Sequence, residues 1–148
     1  MLPRPPTIPR PPRLLERTLS LRRTGGAMET FVVHPAEDRA HPVAILYMDM
    51  WGMRETLRAI AREVAAAGYY CVVPDLYYRG GTVRYASEVT PGRRLSFGDL
   101  APERQVALRA AMEALSDAMV MDDTGFLIEF IGRDKAARPG AIGAVGYC

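Results

Sequence analysis

The sequence has 148 residues, 49% hydrophobic and 24% charged, a size and composition that suit one folded domain and exclude a chain disordered throughout. No run approaches the roughly 18 apolar residues of a membrane-spanning helix. The formal charge of +2 is unevenly spread: residues 1–27 hold six arginines against one acid, Glu16, while residues 28–148 hold 13 basic and 16 acidic residues, so the body offers no basic surface for nucleic acid.

Residues 1–27 open with six prolines among the first twelve positions. Such a stretch favours extended polyproline II and cannot build a core. It reads as a disordered Pro/Arg-rich arm ending at Gly25-Gly26, with Met28 available as a start. A ligand for a proline-binding partner, a basic patch and an organelle presequence are the other readings of this arm.

Glu29–His34 (ETFVVH) predicts a short strand, and Pro42–Met48 (PVAILYM) a strand buried on both faces of a parallel sheet. The Pro35–His41 stretch between them is turn-like, and His34 and His41 are expected to be exposed there. In Arg54–Ala67, Leu57, Ile60, Ala61, Val64 and Ala65 form a helical stripe. Gly68 sits where a C-terminal cap belongs. Tyr69–Val73 is a further buried strand, stopped by Pro74, with Cys71 as core packing. Strand, helix and strand at these lengths make a βαβ unit with parallel strands.

Residues 75–101 read as an irregular loop containing Gly80, Gly81, Pro91, Gly92 and Gly98. Glu103–Met121 predicts a second helix with a stripe of Leu108, Ala111, Met112, Leu115 and Met119. Asp122, Asp123 and Thr124 offer a cap for a third helical piece, Gly125–Arg133. Lys135–Gly140 is a loop, and Ala141–Tyr147 is a small, apolar third parallel strand. The order predicts an α/β fold with a parallel sheet and helices on both faces.

The chemistry-bearing residues lie where strands end. Gly146-Tyr147-Cys148 is the first half of a nucleophile elbow, a glycine two residues before a nucleophile at a strand terminus. Met48-Asp49-Met50-Trp51-Gly52 follows an earlier parallel strand, the position from which a backbone N–H serves an oxyanion hole. Parallel strands end at one sheet edge, which brings Asp49 and Cys148 towards each other. Gly140, Gly143 and Gly146 recur every three residues, but no helix follows them, so they do not form a dinucleotide fingerprint. DMWGM holds one glycine, too few for a phosphate-cradling turn. Two cysteines, far apart, exclude a disulfide scaffold and a cysteine zinc site, and favour a reducing, cytoplasmic setting.

The run PVAILYMDMWGMRETLRAIAREVAAAGYYCVVPDLYYRGG, followed by GAIGAVGYC, resembles the N-terminal half of the dienelactone hydrolase family. The resemblance covers residues 29–148 and is closest over 42–80 and 139–148. It implies a parallel-sheet α/β-hydrolase fold that cleaves a small-molecule ester or lactone without metal or organic cofactor; charge and hydropathy give no nucleic-acid or membrane partner, and no protein partner is assigned. It implies that Cys148 is the nucleophile and that the Met50 N–H contributes to the oxyanion hole. Asp49 falls where the family often has a glutamate that contacts the resting cysteine and poises the thiolate. The family also sets arginines on substrate carboxylates; Arg79, Arg104 and Arg109 lie in the corresponding region, and none is assigned. The family's acid and histidine follow the nucleophile, whereas this sequence stops at Cys148. Residues 28–148 are therefore expected to be the N-terminal part of an α/β-hydrolase domain, incomplete at its C-terminus and inactive alone. The rival readings are a non-catalytic fragment or pseudo-enzyme, a Rossmann-like nucleotide binder, and an interaction protein acting through the arm.

Overall fold

The computed structural model describes residues 11–81 and 96–147. Five strands, β1 (Leu14–Arg23), β2 (Gly26–Pro35), β3 (His41–Tyr47), β4 (Tyr70–Pro74) and β5 (Ala137–Gly146), form one sheet in the order β1-β2-β4-β3-β5. Three helices accompany them: α1 (Glu55–Ala66), α2 (Pro102–Ala114) and α3 (Asp117–Ile131).

The sheet is mixed, which corrects the expectation of a parallel one. β3 pairs in parallel with both β4 and β5, but β1·β2 and β2·β4 are antiparallel. Connection length explains the difference. β1 and β2 are joined by the two-residue turn Thr24-Gly25, with Gly25 at φ +94°, and residues 36–40 alone join β2 to β3. Parallel neighbours need a crossover of a dozen or more residues, so neither link permits one. β3–α1–β4 is the parallel unit expected from its lengths. β5 begins at Ala137, inside the loop expected over Lys135–Gly140, and pairs with β3 without a break from Ile142 to Gly146.

Residues 14–27, expected to be part of a disordered arm, form β1 and the start of β2. The early prolines end at Pro12, and over Thr18–Arg22 leucines alternate with polar residues in a strand pattern. Leu19 and Leu21 pack against the core. The arginines of this hairpin meet acids of the body: Arg17 pairs with Asp134, and Arg23 with Asp122 and Asp123.

Side-chain alternation places two cores on the two faces. Met28, Val32, Val43, Ile45, Tyr70 and Val72 meet Leu127 and Ile131 of α3. Phe31, Val33, Leu46, Cys71 and Val73 meet Leu57, Ala61 and Ala65 of α1. α1 ends as predicted, with Gly68 at φ +102°, a conformation that favours glycine. The helix expected over Glu103–Met121 breaks at Leu115–Ser116, and Ser116 accepts the Met119 N–H to start α3. Asp122–Thr124, expected to be a cap, lies inside α3. Of the expected loop over 75–101, short 3₁₀ turns occupy Tyr78–Gly80 and Phe97–Asp99, and residues 82–95 lie outside the described residues. Among the described residues no helix is long and apolar enough to cross a membrane.

His41 is fully buried and His34 partly so, correcting the expectation of exposed turn residues. β2 and β3, which carry them, are not neighbours; β4 lies between them. His34 stacks on Tyr70 with ring centroids 5.4 Å apart and lies 6.0 Å from His41. Asp134 accepts the Tyr70 hydroxyl at 2.6 Å and the Ala136 N–H at 3.0 Å, and pairs with Arg17.

Burial alone would raise the Asp134 carboxyl, but the Tyr70 hydrogen bond, the Ala136 N–H and the Arg17 charge outweigh it and hold it below the ordinary carboxylate range. A group depressed in the folded state adds stability above its unfolded value and loses it as pH falls through the folded one. Asp134→Asn is therefore expected to cost about 1–2 kcal/mol at neutral pH and to flatten the loss of stability below about pH 4, as read by urea denaturation across pH. The Cys71 thiol, fully buried, is pushed up to about 12 by burial. Iodoacetamide at neutral pH is expected to leave Cys71 unmodified in the native protein and to alkylate it once the chain is unfolded.

Candidate active site

β3 stands between β4 and β5. The chain runs from β3 through α1 on one face to β4, and from β4 through α2 and α3, with α3 on the other face, back past β3 to β5. This is a topological switch point, where a crevice opens at the carboxyl ends of the strands. Tyr47 pairs with Gly146, so β3 and β5 end side by side. Met48–Arg54, the segment after β4 and Tyr147 share this edge.

The loop after β3 is held from within. The Asp49 backbone carbonyl accepts the Gly52 N–H at 3.0 Å, and Gly52 adopts φ +71°, the left-handed region where a side chain is strained. The Asp49 carboxylate accepts the Trp51 N–H at 3.0 Å and two contacts from Arg54, at 2.6 and 2.7 Å. Arg54 also donates to the Gly52 carbonyl at 3.3 Å. The Asp49 and Arg54 side chains are 18% and 15% exposed.

Met50 is anchored by its carbonyl, which accepts the Tyr77 hydroxyl at 3.0 Å. Its side chain joins Trp51 and Phe97 against Leu100 and Leu108. Among the described residues the Met50 N–H has no hydrogen-bond acceptor. Asp75 accepts the Tyr77 N–H at 3.0 Å and helps hold Tyr77 in place.

A cavity of about 290 Å³ lies between the segment after β4 and the helices, lined by Leu76, Tyr77, Arg79, Ala107, Ala111 and Met119. Arg79 is committed to Asp123, with contacts of 2.8 and 3.0 Å. Asp123 is fully buried and also accepts from the Tyr78 hydroxyl at 2.9 Å and from Arg23 at 3.2 Å. Arg109 lies over the Phe97 ring, 5.4 Å from its centroid. Arg104 stands in the first turn of α2.

Of the predicted site residues, Asp49 and Met50 are together in the loop after β3. Cys148 lies outside the described residues. Sequence reasoning missed Arg54, taken as the start of a helix, and Tyr77. A glycine and an acid–arginine pair five residues apart were the available signal for Arg54; nothing local marked Tyr77, whose partner is 27 positions away. Among the described residues no cluster of three or more metal-ligating side chains occurs.

Comparison with known proteins adds to this geometry. Carboxymethylenebutenolidase 1 of Cupriavidus pinatubonensis is 28% identical over 126 residues, 85% of this chain and 48% of that protein. A candidate carboxymethylenebutenolidase of Methylorubrum extorquens is 23% identical over 123 residues, 83% of this chain and 37% of that protein. The crystal structure of a candidate dienelactone hydrolase from Klebsiella pneumoniae subsp. pneumoniae superposes with a TM-score of 0.70 at 20% identity, over 92% of this chain and 50% of that one; the likeness is one of fold. The chain thus spans about half the length, or less, of these proteins. The profile of the dienelactone hydrolase family matches residues 28–148, and the chain belongs to that family.

Proposed function

We propose that the protein is a hydrolase of the dienelactone hydrolase type that cleaves an ester or lactone through Cys148. The thiolate attacks the carbonyl carbon, and the C=O π electrons move onto oxygen. Collapse of this intermediate breaks the bond to the leaving alkoxide, which takes up the proton released from the thiol, and leaves a thioester. Water then attacks the thioester, releasing the carboxylic acid and restoring the thiol. The Met50 N–H is the donor on this chain to the oxyanion, an interaction worth about 10²–10³ in kcat for one donor. The reaction needs no metal or organic cofactor. The apolar cavity beside Tyr77 suits part of a small ester or lactone. A cysteine nucleophile suits a reducing, cytoplasmic compartment.

The observation that carries this reading is the β3·β5 register. Tyr47 and Gly146 are paired, three residues before Met50 and two before Cys148. Family membership over residues 28–148 supports it.

One observation favours a second reading, a chain without turnover of its own. Both histidines of the sequence are at the opposite edge, His34 near the end of β2 and His41 at the start of β3, so neither serves as a base for Cys148.

Hydrolysis of 4-nitrophenyl acetate by the purified full-length protein, wild type against Cys148→Ser, tests the proposal. The expected result is a fall in kcat of roughly 10²-fold or more, with an acetyl adduct on Cys148 in the wild-type mass spectrum. Full activity in Cys148→Ser overturns the cysteine mechanism. A wild type without turnover supports the second reading.

A further inference from the structure

We propose that Asp49 and Arg54 are a positioning pair for the oxyanion donor, assisted by Tyr77, rather than Asp49 being a group that poises the thiol. This rests on the hydrolase reading above.

The argument concerns two consecutive peptide planes. The Met50–Trp51 peptide is held at both ends: its carbonyl accepts the Tyr77 hydroxyl at 3.0 Å, and its N–H donates to the Asp49 carboxylate at 3.0 Å. The preceding Asp49–Met50 peptide is held by its carbonyl, which accepts the Gly52 N–H at 3.0 Å. A trans peptide is planar, so fixing its carbonyl fixes the direction of its N–H. That N–H belongs to Met50, and it has no acceptor among the described residues. Its direction is thus set before any substrate arrives, the condition under which an oxyanion donor is effective.

Asp49 accomplishes its part only if its carboxylate stays still. Arg54 grips both oxygens, at 2.6 and 2.7 Å, and the Trp51 N–H takes a third of the roughly four acceptor positions. All these donors lie within the same loop, and both side chains are largely buried. Pulling Asp49 towards a thiol would leave a buried guanidinium without its partner, which is costly. Lysine cannot reproduce the two-pronged grip. Tyr77 supplies the other fixed point from the segment after β4, where Asp75 accepts its backbone N–H at 3.0 Å.

The test is kinetic and chemical, on the full-length protein with 4-nitrophenyl acetate. Arg54→Lys and Tyr77→Phe are each expected to lower kcat by roughly 10- to 100-fold while KM changes by less than about twofold. Asp49→Asn combined with Arg54→Lys should lose less than the product of the two single effects. In all three single variants, the pH midpoint for iodoacetamide alkylation of Cys148 should match wild type. Thermal melts identify the folded variants, and Tyr77→Phe, which removes one oxygen, serves if Arg54→Lys does not fold. Unchanged kcat in the folded variants overturns the inference. A displaced alkylation midpoint in Asp49→Asn overturns it as well, and assigns Asp49 to the thiol. Full activity in Cys148→Ser, or no turnover by wild type, fails the hydrolase reading first and removes the oxyanion that the pair would serve.

Discussion

The double burial of β3 is the constraint on which the rest of the structure depends. Val43 and Ile45 face one core and Leu46 the other, so the strand cannot lie at a solvent face and must be covered twice. α1 covers one side and α3 the other. Because each helix belongs to a connection leading to a different neighbour, β4 and β5 fall on opposite sides of β3. The two connections pass on opposite faces to opposite sides of β3, the arrangement in which ligands bind at the carboxyl ends of the strands. The site's location therefore follows from where the apolar residues of one seven-residue strand point.

The uneven charge of the chain has a structural role in the same framework. β1 is an edge strand with largely exposed residues, and its arginines lie against acids of the body. Pairs at the exposed rim, such as Arg62 with Glu16, contribute little individually, about 0–1 kcal/mol. Asp123 differs. It is fully buried, accepts from Tyr78, Arg79 and Arg23, and so ties the hairpin, the segment after β4 and α3 to one carboxylate. Removing such an acid leaves the partly buried guanidinium of Arg79 and the buried Tyr78 hydroxyl without their acceptor, which costs more than the pair contributes by being present. Arg79, one of three arginines left unassigned in the sequence, is occupied by this duty.

What was legible in the sequence was whatever repeats locally. The α1 stripe, the apolar run of β3 and the glycine after α1 each carry a period or a conformational demand within a dozen residues, and each is present in the structure. The hairpin was obscured because six early prolines coloured the reading of everything before Met28, although the alternation over Thr18–Arg22 was in view. Sheet direction was misjudged because a parallel pattern around β3 was extended to β2, against the short link of residues 36–40. The break at Ser116 was hidden by an apolar stripe that runs on through it. In the candidate site, Asp49 and Met50 were singled out because they follow a strand directly. Arg54 and Tyr77 were not, since their importance lies in which backbone groups they hold, and that depends on how β3 and β4 are set together.

This dependence joins stability to chemistry. The Met50–Trp51 peptide is fixed from two places, the loop after β3 and the segment after β4. Its orientation is only as constant as the packing between those strands. That packing rests in turn on Val43, Ile45, Tyr70 and Val72 on one face and Leu46, Cys71 and Val73 on the other. At the far edge Tyr70 is locked by His34 and Asp134, so the start of β4 is held as firmly as its end. A loss of packing between β3 and β4 would loosen the Tyr77 contact before it unfolded the domain, because one hydroxyl hydrogen bond of about 1 kcal/mol yields sooner than two buried cores. The orientation of the Met50–Trp51 peptide is thus expected to be the first feature of this loop to fail as the sheet is weakened, ahead of any change in the fold itself.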